Sequence, residues 1–468
     1  MRKLILPALA AGLLSGCAGI YADRGFKEVR STARERLGAE TEVVWLRDEA
    51  EAEQLRARTR ALLETPLTPD AAVQVALLNN RGLQAALADL GFAAADMIET
   101  TLPSSPGFRF HRNSGGGEVE VERVVSIDLL GLVTLPFRAV GEGYRYGAAK
   151  RRTAGRVLEL AADTRRAYYS AVAAGQVARY LADASEAAEA AAELARRMRQ
   201  VGNFARIDEA RARAFHLEAT ASLARARTAE VVARERLTRL LGLWGADVDF
   251  KLPERIPELP KEPRVYADVE ALAVANRADL KAARADLEAT AKALGLTRVT
   301  RLVSALQLDL DTHRQTGEAK RTGYEIDISV PIFDFGESRV AKAEHLYMRA
   351  AHRAAETAIN ARSEVREAYL GYRTAYDVAK RYRDEIVPLR RAISEEMLLR
   401  YNGMLVSVFE LLADTRDQIA GITAAINAQR DFWLADMDLE IALYGLSGGG
   451  APTMEAAAPA ASTSAGGH

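Results

Sequence analysis

The sequence predicts a mainly α-helical fold with a small β part, in which long antiparallel coiled coils carry two β-hairpins per chain. Three observations support this prediction. The 468-residue chain repeats itself at an offset of 201, so that Ile127 corresponds to Ile328 and Gly202 to Gly403. This period is too long for a solenoid of small units and indicates a duplicated half-subunit. Each copy contains segments of alternating apolar and polar residues, followed by helical patterns that extend to about 60 residues, or roughly 90 Å.

The composition argues against several classes of function. The formal net charge of −1 gives no basic footprint for nucleic acid. We find no phosphate-binding glycine loop, no metal-ligand cluster and no setting for a nucleophile in the sequence, so we predict neither an enzyme nor a cofactor. His345 and His352 lie seven residues apart. Since seven residues are two helical turns, this spacing is better explained by a heptad coincidence than by a shared metal ion.

Residues 1–17 have the pattern of an export signal, with basic residues before an apolar run over 4–14. This run is too short to span a bilayer, which needs about 20 apolar residues. The segment LSGC at its end resembles a bacterial lipobox, in which the signal is cut before Cys17 and that cysteine is lipidated. The other interpretation is an ordinary signal peptide with an incidental cysteine. Ala18, which is not aspartate, is compatible with passage of a lipoprotein to the outer membrane.

A charged N-terminal segment over 18–65, mostly helical in pattern, precedes the first structural repeat over 66–245. In that repeat, Thr68 and Pro69 are typical of a helix start. The predicted elements are a helix to about Thr100, β segments near 107–112 and 118–130, and a helix pair over 137–245 that is broken near Gly202 and Asn203.

The proline-rich segment 246–262 is predicted to be a linker, and the second structural repeat follows over 263–446. Its predicted elements are a helix over 264–298, β segments over 303–312 and 322–333, and a helix pair over 335–446 that is broken near Asn402 and Gly403. The tail over 447–468 is rich in Gly, Ala, Ser and Pro, and we expect it to be disordered.

The long helices are expected to pack as coiled coils, because apolar or small residues recur every seven positions. In the first repeat the two rows are Ile207, Ala214, Ala221 and Thr228, and Ala210, Leu217, Ala224 and Val231. In the second repeat the row is Leu412, Ile419, Ile426 and Trp433. The helices alone are equally typical of a coiled-coil scaffold without a channel.

The β segments have one apolar and one strongly polar face; Leu306, Leu308 and Leu310, for example, alternate with polar residues. Each repeat therefore offers one hairpin of roughly 10-residue strands, the length of transmembrane strands. Arg123 departs from the alternation by lying on the apolar face. We expect it at the membrane interface, because a lipid-facing arginine costs about 2–4 kcal/mol at mid-bilayer and about 0–1 kcal/mol near the interface.

Two hairpins are too few to close a barrel, and an open sheet edge is not stable in lipid. After residue 20 no stretch of 18 apolar residues occurs, so any membrane crossing would fall to the strands. A chain that inserts must therefore form an oligomer, and a homotrimer would supply twelve strands and twelve long helix segments. The predicted fold class is thus a trimeric α-barrel of coiled coils with a shared transmembrane β-barrel.

Three segments together resemble the TolC family of outer-membrane efflux proteins, especially its lipidated branch. VPIFDFGESRVAKAE (330–344) is similar to the family's strand-to-helix turn, where a proline ends the strand and a glycine opens the helix. RQVGNFARIDEARARA (199–214) and RYNGMLVSVFELLADTRDQ (400–418) resemble its two helix-to-helix tips. The resemblance spans nearly all of 66–446.

The resemblance implies a trimeric tunnel in the outer membrane, lipid-anchored through Cys17 and continuing into the periplasm as an α-barrel. The tips at Gly202, Asn203, Asn402 and Gly403 would face a periplasmic adaptor, which links the tunnel to an inner-membrane pump. Outer-membrane lipid would surround the strands. The two glycines also have a purely structural interpretation, since glycine ends helices in the left-handed conformation.

In the family, an acidic residue six places after the first tip glycine takes part in closing the entrance, and Asp208 has that spacing. Asp208 also fits a first-turn carboxylate favoured by the helix dipole. Around threefold symmetry such carboxylates would form a ring that favours cations. The second tip is one residue longer than common family versions, so several residues there are gate candidates: Arg400, Tyr401, Ser407, Glu410 and Asp414.

Two other functions stay open at this point. One is a lipidated periplasmic coiled-coil spacer without a pore, and the other is an outer-membrane conduit for type I protein secretion. The sequence does not separate drugs, metals or polypeptides as the transported substrate, because selectivity in such systems lies mainly in the pump.

Overall fold

The computed structural model describes residues 25–46 and 49–445. The predicted signal peptide with Cys17 and the predicted disordered tail over 447–468 lie outside the described residues. Among the helices of these described ranges, none has a stretch that is both long and apolar enough to cross a membrane.

The first half of the chain contains six helices and two strands within the described ranges. They are α1 (Phe26–Leu37), α2 (Glu49–Leu63), α3 (Pro69–Asn79), α4 (Arg81–Thr101), β1 (Gly107–Gly115), β2 (Glu118–Asp128), α5 (Leu129–Gln200) and α6 (Arg206–Leu241). Asp128 begins α5, because its carboxylate accepts the N–H of Gly131 at 2.8 Å. The sequence placed this helix start near residue 137, which is wrong by about two turns.

The second half repeats the order of two helices, two strands and two long helices, the first of which is divided into α9 and α10. Its elements are α7 (Val269–Asn276), α8 (Ala278–Val299), β3 (Ala305–Gln315), β4 (Arg321–Ser329), α9 (Glu337–Arg381), α10 (Val387–Asn402) and α11 (Val408–Tyr444). A π-helical turn over Tyr382–Ile386 separates α9 from α10. Pro388 follows this turn and has no N–H to continue the α-helical ladder, whereas α5 contains no such interruption at the corresponding place.

Each half contains a helix break that the sequence did not predict. Thr68 caps α3 as expected, since its hydroxyl accepts the N–H of Ala71 at 3.1 Å. The helix then ends at Asn79, and Asn80 starts α4 by accepting the N–H of Leu83 at 2.9 Å. The Asn80 amide also donates to the Leu240 carbonyl at 3.0 Å, so the break docks onto the end of α6. Arg277 occupies the corresponding break between α7 and α8.

The helices form one layer, and their lateral order matches the order of the strands. On the sheet side of the molecule α4, α5, α8 and α9 lie side by side, and the sheet continues this order as β1-β2-β3-β4. Toward the helix-to-helix tips the order is α6, α5, α11 and then α9 with α10. Helix α6 therefore forms one edge of the layer, and α9 with α10 forms the other.

An irregular equatorial strap, defined here as residues 246–267, crosses the middle of this layer. Its backbone is held by helix side chains: the Tyr376 hydroxyl donates to the carbonyl of Lys261 at 2.7 Å, and the Trp433 indole donates to that of Pro257 at 3.0 Å. The Trp433 ring also stacks on Tyr169 of α5 at 5.1 Å. The two largest buried clusters lie beside the strap, and the larger of them joins the two halves of the chain.

The predicted coiled-coil rows have different outcomes in the two halves. The row in α11 faces neighbouring helices, with Ile426 buried and Trp433 packed against both main clusters. All eight residues of the two rows in α6 are exposed instead. Helix α6 packs on α5 through a different face that includes Ala212, Phe215 and Leu237. Helix α6 lies at the edge of the layer, and no helix of the described ranges covers the face that carries the predicted rows.

Candidate functional site

The four antiparallel strands have the alternating pattern that the sequence predicts. Cross-strand pairs place Phe108, Val125, Leu310 and Tyr324 side by side at one level of the sheet. The side that they share, called the apolar face, carries Phe108, Phe110, Val125, Ile127, Leu306, Leu308, Leu310, Tyr324, Ile326 and Ile328. Most of these side chains are exposed, so no element of the described ranges covers the apolar face. An apolar surface of this extent requires lipid or protein against it.

The opposite face of the sheet is strongly acidic. It carries every acidic residue of the four strands, namely Glu118, Glu120, Glu122, Asp128, Asp309, Asp311, Glu325 and Asp327. His313 lies on the same face, with its Nε2 atom 2.5 Å from a carboxylate oxygen of Glu120. A conduit lined by this face would favour cations, as acidic rings do in cation pores.

Both edges of the sheet are open. Among the described residues, β1 pairs only with β2, and β4 pairs only with β3. All nine residues of each edge strand are exposed. Unpaired N–H and C=O groups along such an edge are a template for another strand, and they cannot remain unpaired in lipid.

The turn from β4 to α9 is fixed by Gly336, which has φ 75°. A Cβ atom there would lie 2.2 Å from the Arg301 carbonyl oxygen, so only glycine fits. The Ser338 hydroxyl and the Gly336 N–H donate to Asp334 and hold the pKa of that carboxyl below its usual range. Phe333, in the same turn, is almost fully exposed. The predicted strand-to-helix turn is therefore present, and it adds an aromatic side chain below the apolar face.

The first tip joins α5 to α6 and ends α5 with a left-handed glycine, as predicted. Gly202 has φ 82°, its N–H donates to the Arg199 carbonyl at 3.0 Å, and the N–H of Asn203 donates to that of Met198 at 2.9 Å. This is the hydrogen-bond pattern in which glycine satisfies the last carbonyls of a helix.

The second tip differs from the predicted one. Gly403 has φ −81°, and the left-handed position is occupied by Met404, with φ 60°. The connections between the helices have the same length in the two tips, 201–205 and 403–407, but Gly403 is the first residue of its connection whereas Gly202 is the second, so Met404 takes the left-handed position. Met404 and Leu405 are 94% and 77% exposed. The sequence analysis missed this apolar pair, although two large apolar residues directly after a turn glycine were a visible signal.

Three of the gate candidates are also helix caps. The Asp208 carboxylate accepts the N–H of Ala205 at 3.3 Å at the start of α6. At the start of α11, the Glu410 carboxylate accepts the N–H of Ser407 at 2.7 Å, and the Ser407 hydroxyl accepts that of Glu410 at 3.3 Å. Asp208 and Glu410 thus occupy the same position of the first turn in the two tips, where the helix dipole favours a carboxylate.

The remaining gate candidates lie on separate surfaces of the second tip. Asp414 accepts a hydrogen bond from the Ser394 hydroxyl at 2.6 Å, which joins α11 to α10. Arg400 donates to Glu396 of its own helix at 2.8 Å, and Tyr401 is half-buried. Within the described ranges, no hydrogen bond or ion pair joins Arg400 or the Tyr401 side chain to the candidate carboxylates.

Two arginine–aromatic contacts join the tips of one chain. Arg211 of α6 lies over the Phe409 ring of α11 at 4.4 Å, and Arg416 of α11 lies over the Phe215 ring of α6 at 5.2 Å. Arg416 also forms an ion pair with Glu218 at 3.0 Å. In the part of the chain that the structure describes, no group of three or more His, Cys, Asp or Glu side chains is arranged to hold a metal ion.

Comparison with known proteins gives one family model that matches part of the chain. Residues 271–395 match the family model described as outer membrane efflux protein. The chain carries an outer membrane efflux protein domain. This efflux protein domain extends from α7 through the β3–β4 hairpin into α10. A search of curated protein sequences gives no match.

The fold around the efflux protein domain is similar to that of solved outer membrane channels. CusC, described as forming a transmembrane channel, aligns with a TM-score of 0.70 and 17% identity over 81% of this chain and 92% of its own. The outer membrane protein VceC of Vibrio cholerae aligns with a TM-score of 0.68 and 16% identity, over 84% of this chain and 98% of its own. The MtrE outer membrane channel of Neisseria gonorrhoeae aligns with a TM-score of 0.66 and 18% identity, over 80% of this chain and 88% of its own. The predicted TolC-type fold is confirmed.

Proposed function

We propose that the protein is the outer membrane channel of a tripartite efflux system and works as a homotrimer. The observation that carries this proposal is that the sheet and the helix layer are both open at the same two sides. Within the described ranges no element covers the apolar face or pairs with the edge strands, so a single copy leaves both sides open. The efflux protein domain and the likeness to solved channels support the same function.

Closure by copies of the same chain satisfies both layers at once. Strand β4 of one copy pairs with β1 of the next, and three copies of a four-stranded sheet give twelve strands. The same step brings α6 of one copy against α9 and α10 of the next. Exposed apolar residues lie on both of these helix edges: Ile207, Leu217, Val231, Ile359, Leu370, Leu389 and Leu399. In this arrangement the acidic face lines the conduit and the apolar face meets outer-membrane lipid.

The tips, at the end of the helices far from the sheet, are proposed to bind a periplasmic adaptor that connects the channel to an inner-membrane pump. Gly202, Asn203, Asn402 and Gly403 belong to this surface, to which we add the exposed Met404. Lipidation of Cys17 would anchor the chain at the periplasmic side of the outer membrane. Mass spectrometry of the mature protein tests this step, since a diacylated N-terminal cysteine has a distinct mass.

The carboxylates at the tips are proposed to narrow the entrance, with Asp208 as the principal residue. Planar-bilayer conductance of the detergent-extracted oligomer tests both the channel and the gate. We expect small, cation-selective steps from the native protein. Asp208→Asn removes the charge while its amide oxygen can still accept the Ala205 N–H, so larger and less cation-selective steps would support the gate. Glu410→Gln is the matched change at the second tip.

The outcomes of this experiment separate the functions. Steps that Asp208→Asn leaves unchanged keep the channel and remove Asp208 from the gate. A well-folded oligomer without conductance under any condition would contradict the channel and favour a periplasmic spacer. A conduit for protein secretion would conduct as well. It is distinguished by co-purification with a peptide-exporting pump in place of a small-molecule pump.

A further inference from the structure

We propose that Arg112, Arg123 and Arg314, called the arginine triad, bind the phosphate groups of a glycolipid in the outer leaflet of the membrane. This inference rests on the proposed function, because it requires the sheet to lie in the outer membrane with its apolar face toward lipid. The triad lies on three adjacent strands, on the same face as the apolar side chains.

The register brings the three arginines into one patch. Arg112 of β1 and Arg314 of β3 both pair with Val121 of β2, one from each side. Since neighbouring strands are about 4.8 Å apart, their backbones are separated by roughly 10 Å. Arg123 lies two residues along β2 from Val121, a step of about 7 Å on the same face. Long, flexible side chains can converge on one anionic group from these positions.

The charge of the triad has no partner within the described strands. All three side chains are exposed, and none forms an ion pair or a hydrogen bond with an acidic side chain in the described ranges. Arg123 lies over the Phe110 ring at 6.0 Å, which fixes it on the apolar face. Every acidic residue of the strands lies on the opposite face. The triad therefore has no acidic residue of the strands on its own face and is available to an external anion.

The position of the triad along the strands matches the end of a membrane band. Thr312 is level with Arg123. The six residues from Leu306 to Thr312 span about 20 Å along the strand. Their span along the membrane normal is smaller, because strands in a barrel tilt. Exposed apolar residues below the strands, including Phe333, extend this band toward the usual height of about 25 Å. Thr312 and Thr322 share the Arg123 level, and the next level toward the turns carries Arg112, Val121 and Arg314.

This end of the band faces the outer leaflet. The helices leave the sheet at its other end and extend toward the adaptor, so the hairpin turns are on the outer side in the proposed orientation. Guanidinium groups bind phosphate oxygens through two parallel hydrogen bonds, which makes arginine well suited to phosphate recognition. Outer-leaflet glycolipid carries phosphate at this depth, next to its acyl chains. The chemistry therefore favours a phosphorylated glycolipid over a zwitterionic lipid.

The test is native mass spectrometry of the detergent-solubilised full chain, titrated with diphosphorylated lipid A and with the same glycolipid after removal of its phosphates. We expect the native protein to bind the phosphorylated form at least about tenfold more tightly. Arg112→Gln/Arg314→Gln should remove most of this preference, and addition of Arg123→Gln should remove the rest. The matched control is Arg109→Gln/Arg321→Gln, which deletes two charges from the acidic face and should keep the preference.

Equal preference in the native protein and in the triple variant would overturn the proposal. Loss of the preference in the control as well would also overturn it, because total charge and not the triad would then decide binding. Competition by millimolar inorganic phosphate would identify a free-phosphate site and exclude the lipid. Bilayer conductance of the same variants keeps the proposals apart: a conducting channel without phosphate preference refutes only the triad, whereas a protein that never inserts refutes the proposed function.

Discussion

At the scale of single residues, Arg277 is one of the largest fully buried side chains among the described residues. It is 0% exposed and lies at the break between α7 and α8. Its guanidinium contacts Asp279 at 2.7 Å and Glu364 of α9 at 2.8 Å, and it donates to the Ala442 carbonyl of α11 at 3.2 Å. One planar group with five donors thus joins three helices, a geometry that lysine cannot reproduce.

Replacement of this arginine should therefore be strongly destabilising. We expect Arg277→Met to cost roughly 3 kcal/mol, because two carboxylates lose their partner in a largely buried site. Urea unfolding of the detergent-solubilised protein measures the difference. Arg298→Met on α8 is the matched control, since Arg298 forms an exposed pair with Glu344 and such pairs contribute about 0–1 kcal/mol. Equal losses in the two variants would contradict a special role for Arg277.

Met404 shows how the place of the glycine within the connection changes a tip. The left-handed conformation costs a residue other than glycine about 1–2 kcal/mol, yet the second tip places methionine there. Such strain is found where function requires a particular side chain. In the proposed function, that requirement is an apolar contact with the adaptor.

Met404→Gly should therefore stabilise the second tip locally. We expect a gain of about 0.5 kcal/mol, because relief of the strain is partly offset by the greater freedom of glycine in the unfolded chain. Hydrogen exchange of the amides around Leu405 should slow in this variant. Gly202→Met is the reciprocal change and should speed exchange at the first tip. Changes of the same sign at both tips would rule out the strain.

At the scale of elements, the equatorial strap depends on side chains for its backbone hydrogen bonds. Tyr372 accepts the N–H of Arg264 at 2.9 Å, and Tyr376 donates to the carbonyls of Pro260 and Lys261. These tyrosines lie four residues apart on α9 and so face the strap together. In the first half, the buried Tyr168 hydroxyl similarly donates to the Leu67 carbonyl at 2.9 Å, and burial raises the pKa of Tyr168 to about 12. These hydroxyls thereby provide hydrogen-bond partners for backbone N–H and C=O groups of irregular segments beside the core.

Removal of one strap hydroxyl should loosen the middle of the molecule. Tyr376→Phe leaves two half-buried carbonyls without their donor and should cost about 1–2 kcal/mol. Hydrogen exchange across 258–266 should accelerate. Tyr347→Phe on the same helix is the control, because the Tyr347 hydroxyl makes no hydrogen bond within the described ranges. An unchanged exchange pattern in Tyr376→Phe would show that the strap is held by packing alone.

At the scale of the whole molecule, one chain supplies only one side of several interfaces. The sheet, the apolar face and the outer helices all end in surfaces that one chain cannot cover. The heptad rows of α6 are the clearest example, since their spacing is that of a coiled coil while their side chains are exposed. In the proposed trimer, a neighbouring copy would give these rows the partner helix that their period indicates.

A charge in these rows should therefore block assembly. We expect Leu217→Asp on α6 to shift the detergent-solubilised protein from trimer to monomer, as measured by light scattering. Leu194→Asp on α5 is the matched control, because Leu194 is equally exposed at 57% but α5 has neighbours on both sides. It should leave the trimer intact. Dissociation by both changes, or by neither, would place the interface elsewhere.

The sequence by itself determined the fold class, the twofold element order, the strand faces and the first tip. The element order and the strand faces follow from local periodicity, which is two residues in a strand and seven in a coiled coil. The first tip follows from the preference for glycine where a helix ends in the left-handed conformation. The Thr68 cap and the Gly336 turn were also predictable, because capping and turn chemistry are decided by neighbouring residues. The same rules placed Asp208 in a first turn.

Only the tertiary structure decided which helix faces are covered, where the long helices break, and which tip residue reverses the chain. Asn80 and Arg277 interrupt helical patterns because their side chains contact helices that are distant in sequence. Asn80 donates a hydrogen bond to the Leu240 carbonyl of α6, and Arg277 forms an ion pair with Glu364 of α9. The exposed rows of α6 depend on its place at the edge of the layer. The arginine triad depends on the pairing of three strands that are up to about 200 residues apart in sequence, and periodicity along one strand contains no information about its neighbours.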